Sequence, residues 1–474
     1  MVSKMGTPTE HPQHLDHFKH VHFIGIGGYG MSAVARVMLE MGFTVTGSDV
    51  ARKELTDKLE AGGAQVFIGH SAENIKGADV VVYSTDIPTN NIELNTAKQL
   101  GITLLHRSQM LAWILNRKKG IAVAGAHGKT TTSSMISTVM VRCGIDPTYV
   151  IGGEIMGIGS NASAGKGEYV VAEADESDGS FLEYQPELAV VLNIEPDHLE
   201  NYDGDFANLK NAYHKFFGLV KPNGKSVVCV DDGYVRELME RQPNQEAFIT
   251  YGIDRKANFT ANNIVPGDRK ISFDVYQDGN LLGPMTLSVP GLHNVYNALA
   301  TTAVCMNAGL TFAEIKEAIF YFHGAKRRFQ VIGEVKDILV VDDYAHHPTE
   351  IEATLKAGRE TKRRTLGIFQ PQRYTRTFFL LDEFSKAFKD ADQVIITDIY
   401  SPANDPEIEG VSANKLVELI KTNSNPNTSY ISSKEEIVSY LLENSQPGDL
   451  VITMGAGDIW NVAYKLVEKL KSPQ

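Results

Sequence analysis

A glycine-rich turn at residues 125–132, Gly-Ala-His-Gly-Lys-Thr-Thr-Thr, contains the residue types that bind the phosphates of a nucleotide. In such a turn, here called the phosphate loop, the backbone amides point at phosphate oxygens, Lys129 adds positive charge and Thr130 can ligate Mg²⁺. Val123 stands where the pattern G-x-x-x-x-G-K-[ST] has its first glycine, so this turn is shorter than most such loops. The alternative is an ordinary strand-to-helix connection in which the glycines serve steric needs.

Acidic residues and a histidine follow two later predicted strands. Glu173 comes directly after the strand 169–172, and His198 lies in NIEPDHL after the strand 188–192. Because Mg²⁺ prefers hard oxygen ligands beside the β- and γ-phosphates, we predict Glu173 as a metal ligand. His198 would emerge beside it on a neighbouring strand end, where it could ligate a second cation or contact a transferring phosphoryl group. Asp178 fits a helix-capping role as well as a functional one.

Two further segments could contact the same nucleotide. Asn294, in the turn GLHNVYN before a predicted helix, could meet an adenine edge or could cap that helix. The pair Arg327-Arg328, in AKRRF, could place a guanidinium on a phosphate from outside the central domain, or could be exposed linker charge. Sequence alone leaves both alternatives open.

The last third of the chain carries a possible carboxylate site. Arg373 and Arg376 lie three apart in QPQRYTRT, and such a pair suits the bidentate recognition of a carboxylate. A small co-substrate with a carboxylate fits this pattern. His346 and His347, in DDYAHHPT, could take part or could be turn residues with satisfied ring nitrogens.

A second glycine loop lies near the N terminus. The sequence GIGGYG at 25–30 follows the predicted strand 20–24, and the next predicted strand, 44–49, ends in Asp49. This order is a moderately specific signature of dinucleotide binding. It makes a nicotinamide-dependent oxidoreductase one alternative, although that function leaves Lys129 and Glu173 unexplained. A noncatalytic, nucleotide-regulated binding module is another.

The order of predicted elements indicates an α/β fold with three domains in series. Strands and helices alternate through most of the chain, while the segments 271–276 and 281–289 predict an antiparallel hairpin that turns at Asp278-Gly279. A helix at about 295–308 follows, and a basic linker at 116–120 marks the first boundary. We predict a Rossmann-like domain at 1–118, a central domain with a mixed sheet like that of P-loop ATPases at 119–325, and a second Rossmann-like domain at 326–474.

Composition narrows the cellular context. The 474 residues carry a net charge of −13, which argues against a nucleic-acid partner. Cys143, Cys229 and Cys305 are too widely spaced for a disulfide framework or a cysteine-based zinc site. The first residues lack the apolar core of a signal peptide, and no run of about 18 apolar residues follows. We therefore expect a cytoplasmic protein with no membrane partner.

Taken together, the motifs resemble the ATP-dependent Mur ligases of peptidoglycan synthesis. The matching segments lie in the family's order across about residues 20–460: GIGGYGMS, GAHGKTTT, EADESDGSF, NIEPDHLENY, GLHNVYNA, AKRRF, DDYAHHPTEI and QPQRYTRT. The wording of GIGGYGMS, EADESDGSF and DDYAHHP is most similar to the branch that adds L-alanine to UDP-N-acetylmuramate. A branch that attaches a recycled tripeptide to the same sugar shares most motifs and is the alternative.

The resemblance implies a reaction with ATP as co-substrate and Mg²⁺ or Mn²⁺ as metal. ATP would convert the carboxylate of UDP-N-acetylmuramate into an acyl phosphate, and the amino group of L-alanine would attack it to give an amide, ADP and phosphate. The enzyme would be a monomer or a weak homodimer. The implied catalytic residues are Lys129, Glu173, His198 and His346.

The resemblance also implies four sets of binding residues. ATP would contact Gly125, Ala126, His127, Gly128, Lys129, Thr130, Thr131, Asn294 and Arg327. The UDP-sugar, rather than NAD, would contact Gly25, Gly27, Gly28, Gly30, Ser48, Asp49, Ser84 and Arg107. The amino acid would contact Tyr344, His346, Arg373 and Arg376, and the metal would contact Thr130, Glu173 and His198.

Three positions differ from residues that are usual in the family or in its other branches. Ala126 replaces a usual threonine and Gln372 a usual histidine, which puts local polar contacts in doubt without removing the lysine, the metal ligands or the arginines. Tyr213 stands where other branches carry a modified lysine, which supports the alanine-adding branch and argues against such a modification here.

Overall fold

The computed structural model describes residues 17–177, 179–401 and 405–472. The role considered for Asp178 lies outside the described residues. Within the described part the strands form three separate sheets that follow one another along the chain. Each sheet is covered by helices, as expected for an α/β protein.

The first sheet is built from alternating strands and helices. Its strands are β1 (His20–Ile24), β2 (Thr44–Asp49), β3 (Gln65–Ile68), β4 (Val80–Tyr83) and β5 (Thr103–His106). The helices are α1 (Tyr29–Glu40), α2 (Glu54–Ala61), α3 (Ile92–Leu100) and α4 (Arg107–Asn116). The strand order is β3-β2-β1-β4-β5 and every pairing is parallel. This is the predicted Rossmann-like arrangement, with the glycine loop following the central strand.

The second sheet is mixed. Its strands are β6 (Lys119–Ala124), β7 (Thr148–Ile155), β8 (Ser160–Ser163), β9 (Tyr169–Glu173), β10 (Leu188–Val191), β11 (Lys225–Cys229), β12 (Phe248–Gly252), β13 (Phe259–Gly267), β14 (Lys270–Gln277) and β15 (Asn280–Leu287). The helices are α5 (Lys129–Arg142), α6 (Phe206–Gly218), α7 (Gly233–Glu240), α8 (Leu292–Asn307) and α9 (Phe312–Ile319). The strand order is β15-β14-β13-β12-β11-β10-β6-β9-β7-β8, with antiparallel pairs at both ends. The predicted hairpin is confirmed, since β14 and β15 meet at Asp278-Gly279, both at positive φ.

The third sheet begins with an antiparallel pair. Its strands are β16 (Gln330–Val335), β17 (Ile338–Asp343), β18 (Arg364–Phe369), β19 (Gln393–Ile396), β20 (Thr428–Tyr430) and β21 (Asp449–Met454). The helices are α10 (Pro348–Glu360), α11 (Tyr374–Phe379), α12 (Leu381–Lys386), α13 (Ala413–Asn423), α14 (Lys434–Asn444) and α15 (Trp460–Lys471). The strand order is β16-β17-β21-β18-β19-β20, and only β16 with β17 pairs antiparallel among them.

The apolar strands are covered on both faces, which is why they read as continuous hydrophobic runs. In β6 the side chains from Ile121 to Ala124 are fully buried, and alternate residues belong to the two cores on either side of the second sheet. Polar residues lie instead on the outward faces of the helices that cover the sheets. Among the helices described, none combines the length and apolarity needed to cross a bilayer.

Several predicted boundaries were wrong by a few residues. The basic stretch 116–120 is not a linker, because Asn116 ends α4 while Lys119 and Gly120 already pair with Tyr169 and Val170 in β9. The helix predicted from about residue 295 starts at Leu292. Strand β9 includes Glu173, which was expected directly after it. In each case backbone pairing extends an element past the end of its apolar pattern.

Candidate functional site

The phosphate loop connects β6 to α5 at the carboxyl edge of the second sheet. Gly125 and Gly128 have φ values of 143° and 86°, which disfavour any residue with a Cβ. A Cβ on Gly128 would also lie 2.9 Å from Asn297 Oδ1. Helix α5 starts at Lys129, and among the described side chains none caps its first turn. The amides of that turn therefore face the loop and favour an anion.

Lys129 lies in this loop and forms a buried ion pair. Its Nζ is 2.8 Å from Glu176 Oε2, and it donates a 2.6 Å hydrogen bond to the carbonyl of Gly125. The side chain of Glu176 is only 4% exposed, and burial raises its pKa even beside the lysine. Glu176 was not singled out from the sequence, although it belongs to the same acidic run as Glu173.

Glu173 and Thr130 offer oxygen atoms at the mouth of the loop. Glu173 Oε1 accepts a 2.6 Å hydrogen bond from the Gly152 amide, and the Thr130 hydroxyl is a further hydrogen-bond partner of this carboxylate. Desolvation raises the pKa of Glu173 despite these bonds. A Cβ on Gly152 would lie 3.0 Å from both Glu173 oxygens, so glycine leaves the carboxylate room. A hydroxyl and a carboxylate are a donor set that suits Mg²⁺.

His198 does not follow a strand that neighbours β9. The phosphate-loop strand β6 lies between β9 and β10, because β6 pairs with both. His198 has a φ of 55°, and its Nε2 is 3.5 Å from Asp197 Oδ2. It still faces the acidic run after β9, since its charge helps to lower the pKa of Asp175. The expected placement beside Glu173 on adjacent strands is therefore corrected to one across β6.

A cavity of about 320 Å³ opens beside the phosphate loop, between the second sheet and the third. This volume is within the range of small-molecule sites. Of the predicted ATP contacts, His127, Gly128, Thr131 and Asn294 line the cavity. Arg328 and Asn297 also line it, and so do Glu195, Asp343 and Glu350, which were not predicted.

Asn294 lies inside α8 rather than before it, since Gly291 is the residue that precedes the helix. Its Nδ2 donates to the Pro290 carbonyl at 2.6 Å, and its Oδ1 accepts from Asn297 at 3.2 Å. Asn297 in turn accepts from Thr132 in α5 at 3.1 Å. This chain of hydrogen bonds fixes both asparagines against the phosphate-loop helix.

Arg327 points away from the cavity. Its Nε donates to Asp342 at 3.0 Å, and its two other nitrogens donate to carbonyls of Gly455 and Gly457. The next residue, Arg328, lines the cavity and lies 3.6 Å from Glu350 Oε1. Arg327, predicted as an ATP contact, thus has its guanidinium held by the third sheet, whereas Arg328 faces the cavity.

The predicted amino-acid residues gather at the start of α10 and α11. His346 Nδ1 lies 3.0 Å from the Tyr344 carbonyl and 3.2 Å from Glu350 Oε2. Burial lowers the pKa of His346 to about 4, and the nearby Arg376 adds to this effect. Arg376 is 8% exposed and its Nη2 lies 3.8 Å from Asp197 Oδ1.

Arg373 and Tyr344 are less directly placed. Arg373 has a φ of 69° and precedes α11, where its amide donates to the Tyr400 carbonyl. The ring of Tyr344 lies under the guanidinium groups of Arg327 and Arg328, at 4.9 and 5.3 Å from the ring centroid. Tyr344 therefore orients the arginines in addition to any contact with an amino acid.

The N-terminal glycine loop, residues 25–30, is held by Asp49. The Gly27 amide donates to Asp49 Oδ2 at 2.9 Å, and the Gly28 amide donates to the Gly25 carbonyl. A Cβ on Gly30 would lie 3.1 Å from Arg107 Nη1, so glycine lets this arginine approach the loop. Asp49 is buried, and in this structure it stabilises the loop.

Ser48 lies in β2 with its hydroxyl bonded inside the first domain. It is fully buried, and its hydroxyl bonds to Glu93 and to His70 Nδ1. Ser48 is a predicted UDP-sugar contact, and in this structure its hydroxyl bonds to Glu93 of α3. Ser84, by contrast, is partly exposed after β4.

Three consecutive segments of the chain match models of one protein family. Residues 20–119 match the model described as "Mur ligase family, catalytic domain", residues 123–305 match "Mur ligase middle domain", and residues 327–457 match "Mur ligase, glutamate ligase domain". These three segments cover most of the chain. It belongs to the Mur ligase family.

Named relatives of this Mur ligase are similar over nearly the whole chain. The UDP-N-acetylmuramate–L-alanine ligase of Pelotomaculum thermopropionicum is 50% identical over 97% of this chain and 99% of its own length. That of Geobacter sulfurreducens is 44% identical over 95% and 97%. The crystal structure of UDP-N-acetylmuramate-alanine ligase from Thermotoga maritima has a TM-score of 0.79 at 29% identity, covering 96% and 99%. A murein peptide ligase from Psychrobacter arcticus has a TM-score of 0.66 at 26% identity, with the same coverage.

The positions that depart from the usual Mur ligase pattern have defined environments here. Ala126 donates its amide to the Asn193 carbonyl at 3.3 Å. Gln372 accepts a 3.2 Å hydrogen bond from Arg376 Nη1, so it orients the arginine. Tyr213 is 1% exposed in α6 and packs edge-on against Phe181. A buried aromatic side chain at this position leaves no lysine to be modified.

Proposed function

We propose that this Mur ligase joins L-alanine to the carboxylate of UDP-N-acetylmuramate, using ATP and passing through an acyl phosphate. The single observation that carries the geometric argument is the contact between Arg376 and Asp197, at 3.8 Å. It brings an arginine suited to a carboxylate to the edge of the sheet that holds the phosphate loop. The relatives named above are the independent support.

ATP would bind with its phosphates on the loop 125–131. Lys129 would turn from Glu176 toward the phosphates, and the cavity lined by Asn294 and Arg328 would take the rest of the nucleotide. Thr130 and Glu173 would hold Mg²⁺, with His198 nearby. The metal would supply neutralisation of the charge on the β- and γ-phosphates. The cleft between the domains would exclude water from the acyl phosphate.

The amino acid would lie near Arg376 and His346. The guanidinium would bind the alanine carboxylate, and Gln372 would hold the guanidinium in place. Because the pKa of His346 is lowered to about 4, its ring is neutral near pH 7 and would accept a hydrogen bond from the alanine amino group without being a strong base. Tyr344 and Arg373 would complete this site.

We further propose that residues 1–118 bind the UDP-sugar, residues 119–325 bind ATP, and residues 326–474 bind the amino acid. The diphosphate would sit on the N-terminal glycine loop beside Arg107. The enzyme would act in the cytoplasm, on a precursor of peptidoglycan, as a monomer or weak homodimer.

The experiment measures phosphate release with ATP, Mg²⁺ and UDP-N-acetylmuramate, with either L-alanine or the tripeptide added. Release that depends on L-alanine is the expected result. A preference for the tripeptide would assign the chain to the recycling branch instead. Tight NAD binding without binding of the UDP-sugar would overturn the assignment of the first domain.

A further inference from the structure

Two histidines and a glutamate meet where the central and C-terminal domains touch. His127 belongs to the phosphate loop, Glu195 follows β10, and His347 precedes α10. One ligand atom of each lies within 4.8 Å of the others. Glu195 Oε2 is 3.2 Å from His127 Nε2 and 3.7 Å from His347 Nδ1. Ligand atoms about 2.0–2.2 Å from a tetrahedral metal lie about 3.3–3.6 Å from one another, so both Glu195 distances fit a bound ion and the two histidines would have to approach each other slightly.

The imidazole of His347 is buried in this cluster. Its side chain is 8% exposed, and among the described residues its Nδ1 has no hydrogen-bond partner. This nitrogen faces Glu195. Leaving a buried ring nitrogen without a hydrogen-bond partner is unfavourable, so its position calls for a ligand.

The outer contacts of the cluster resemble those of a metal site. His127 Nδ1 lies 3.3 Å from Glu350 Oε1, which leaves Nε2 directed at Glu195. Thr349 donates a 3.0 Å hydrogen bond to Glu195 Oε2. A carboxylate on the second ring nitrogen is the usual support of a metal-bound histidine, because it fixes the tautomer and the ring orientation.

We propose that His127, Glu195 and His347 bind a borderline divalent cation such as Zn²⁺, with Glu350 as the outer partner of His127. Two imidazoles and one carboxylate suit Zn²⁺, Co²⁺ or Ni²⁺ better than Mg²⁺, which prefers oxygen ligands. The site is separate from the Mg²⁺ ligands proposed at Thr130. The fourth position is open to water or to a phosphate oxygen.

The cation would compete with a proton. The two ring nitrogens of His127 lie 3.2 Å from Glu195 Oε2 and 3.3 Å from Glu350 Oε1, and two neighbouring carboxylates favour a protonated imidazole. Metal binding has to displace its proton, so the affinity rises as pH rises.

Occupancy would link two domains. His127 and Glu195 belong to the central domain, while His347 belongs to the C-terminal domain. A cation held by all three resists their separation, and opening is needed for nucleotide exchange. Zn²⁺ would therefore slow turnover and raise the unfolding temperature through preferential binding to the folded state.

The test uses the whole protein, freed of metal by a chelator and titrated with Co²⁺, whose visible absorption reports tetrahedral nitrogen coordination. The variants are His347→Gln, Glu195→Gln and Glu350→Gln. His214→Gln is the matched control, because His214 is exposed and its Nδ1 lies 2.8 Å from Gln242 Nε2, on the distant α6. Melting curves without metal show that each variant is folded.

We expect the wild type and His214→Gln to bind one Co²⁺ per chain with a tetrahedral spectrum that Zn²⁺ abolishes. His347→Gln and Glu195→Gln should lose at least about 10-fold in affinity, and Glu350→Gln about 10-fold to 100-fold. Affinity should increase from about pH 6 to about pH 8. An octahedral spectrum in the wild type, or equal affinity in all variants, would overturn the proposal.

Discussion

Replacing Lys129 with methionine is expected to destabilise the protein in addition to stopping turnover. Lys129 Nζ lies 2.9 and 2.8 Å from the two oxygens of Glu176, and that carboxylate is 4% exposed. Removing one partner of a buried ion pair leaves an uncompensated charge and costs about 3–5 kcal/mol. A central domain of this size loses roughly 2–4 °C per kcal/mol, which gives a shift of about 6–20 °C.

The loss should depend on pH in a defined direction. Burial raises the pKa of Glu176, and removing Lys129 takes away the strongest opposing charge. The folded pKa then lies above the unfolded one, so this group stabilises the fold only where it is protonated. Its contribution is complete below the unfolded pKa and is lost as pH rises through the folded pKa. Lys129→Met should therefore approach the wild type as the solution is acidified.

A double-mutant cycle separates stability from chemistry. Lys129→Met, Glu176→Gln and the double variant are compared with the wild type by thermal unfolding at two pH values and by phosphate release. The double variant should recover most of the lost stability, because a neutral pair needs no compensation, and it should remain inactive. A melting temperature for Lys129→Met within about 2 °C of the wild type at neutral pH would refute the reasoning.

Four other substitutions test the site. Glu173→Gln should lower phosphate release about 100-fold or more across a Mg²⁺ titration while melting is little changed, because the carboxylate is a proposed metal ligand. Arg328→Ala should raise the KM for ATP roughly 10-fold to 100-fold. Arg327→Ala should instead cost about 3–5 kcal/mol in unfolding experiments, since it strands buried Asp342. Burial raises the pKa of Asp343 to about 6, so wild-type stability from this group is lost as pH rises through that value, and Asp343→Asn should remove this pH dependence in denaturant titrations.

The phosphate loop and the sheet strands could be predicted because their signals are local. A glycine at positive φ followed by lysine and threonine leaves few alternatives for the turn around Gly128. Buried parallel strands such as β6 are uniformly apolar. The N-terminal glycine loop could also be predicted from a local signal, because Asp49 follows it at a characteristic spacing along the chain.

Contacts that depend on strand order could not be predicted. The chain sequence places β9 and β10 next to each other, yet β6 pairs with both and separates Glu173 from His198. Nothing in the local pattern shows where an earlier strand inserts. The partner of the Ser48 hydroxyl could not be predicted for a similar reason, because Glu93 lies 45 residues later in α3.

Backbone conformation explains why Arg328, and not Arg327, faces the cavity. Arg327 and Phe329 have φ values of 61° and 47°, so consecutive side chains turn in directions that no helical or strand period describes. Glu350 had a usable signal, since an acidic residue in the first turn of α10 is expected from the helix dipole. Its contacts to His127 and Arg328 could not be predicted, because they depend on how the central and C-terminal domains pack.

The contact between the central and C-terminal domains at the site is mostly polar. Glu350 lies within 3.6 Å of both His127 and Arg328, while Asp197 approaches Arg376. These side chains are only 8–27% exposed, so the pairs orient the two domains and breaking one without a replacement leaves an uncompensated charge. A hydrophobic contact would hold the cleft shut, whereas these pairs can exchange their partners for phosphate or carboxylate groups. Charges that align the two domains are therefore the same charges that substrates would engage, which links closure of the cleft to its occupation.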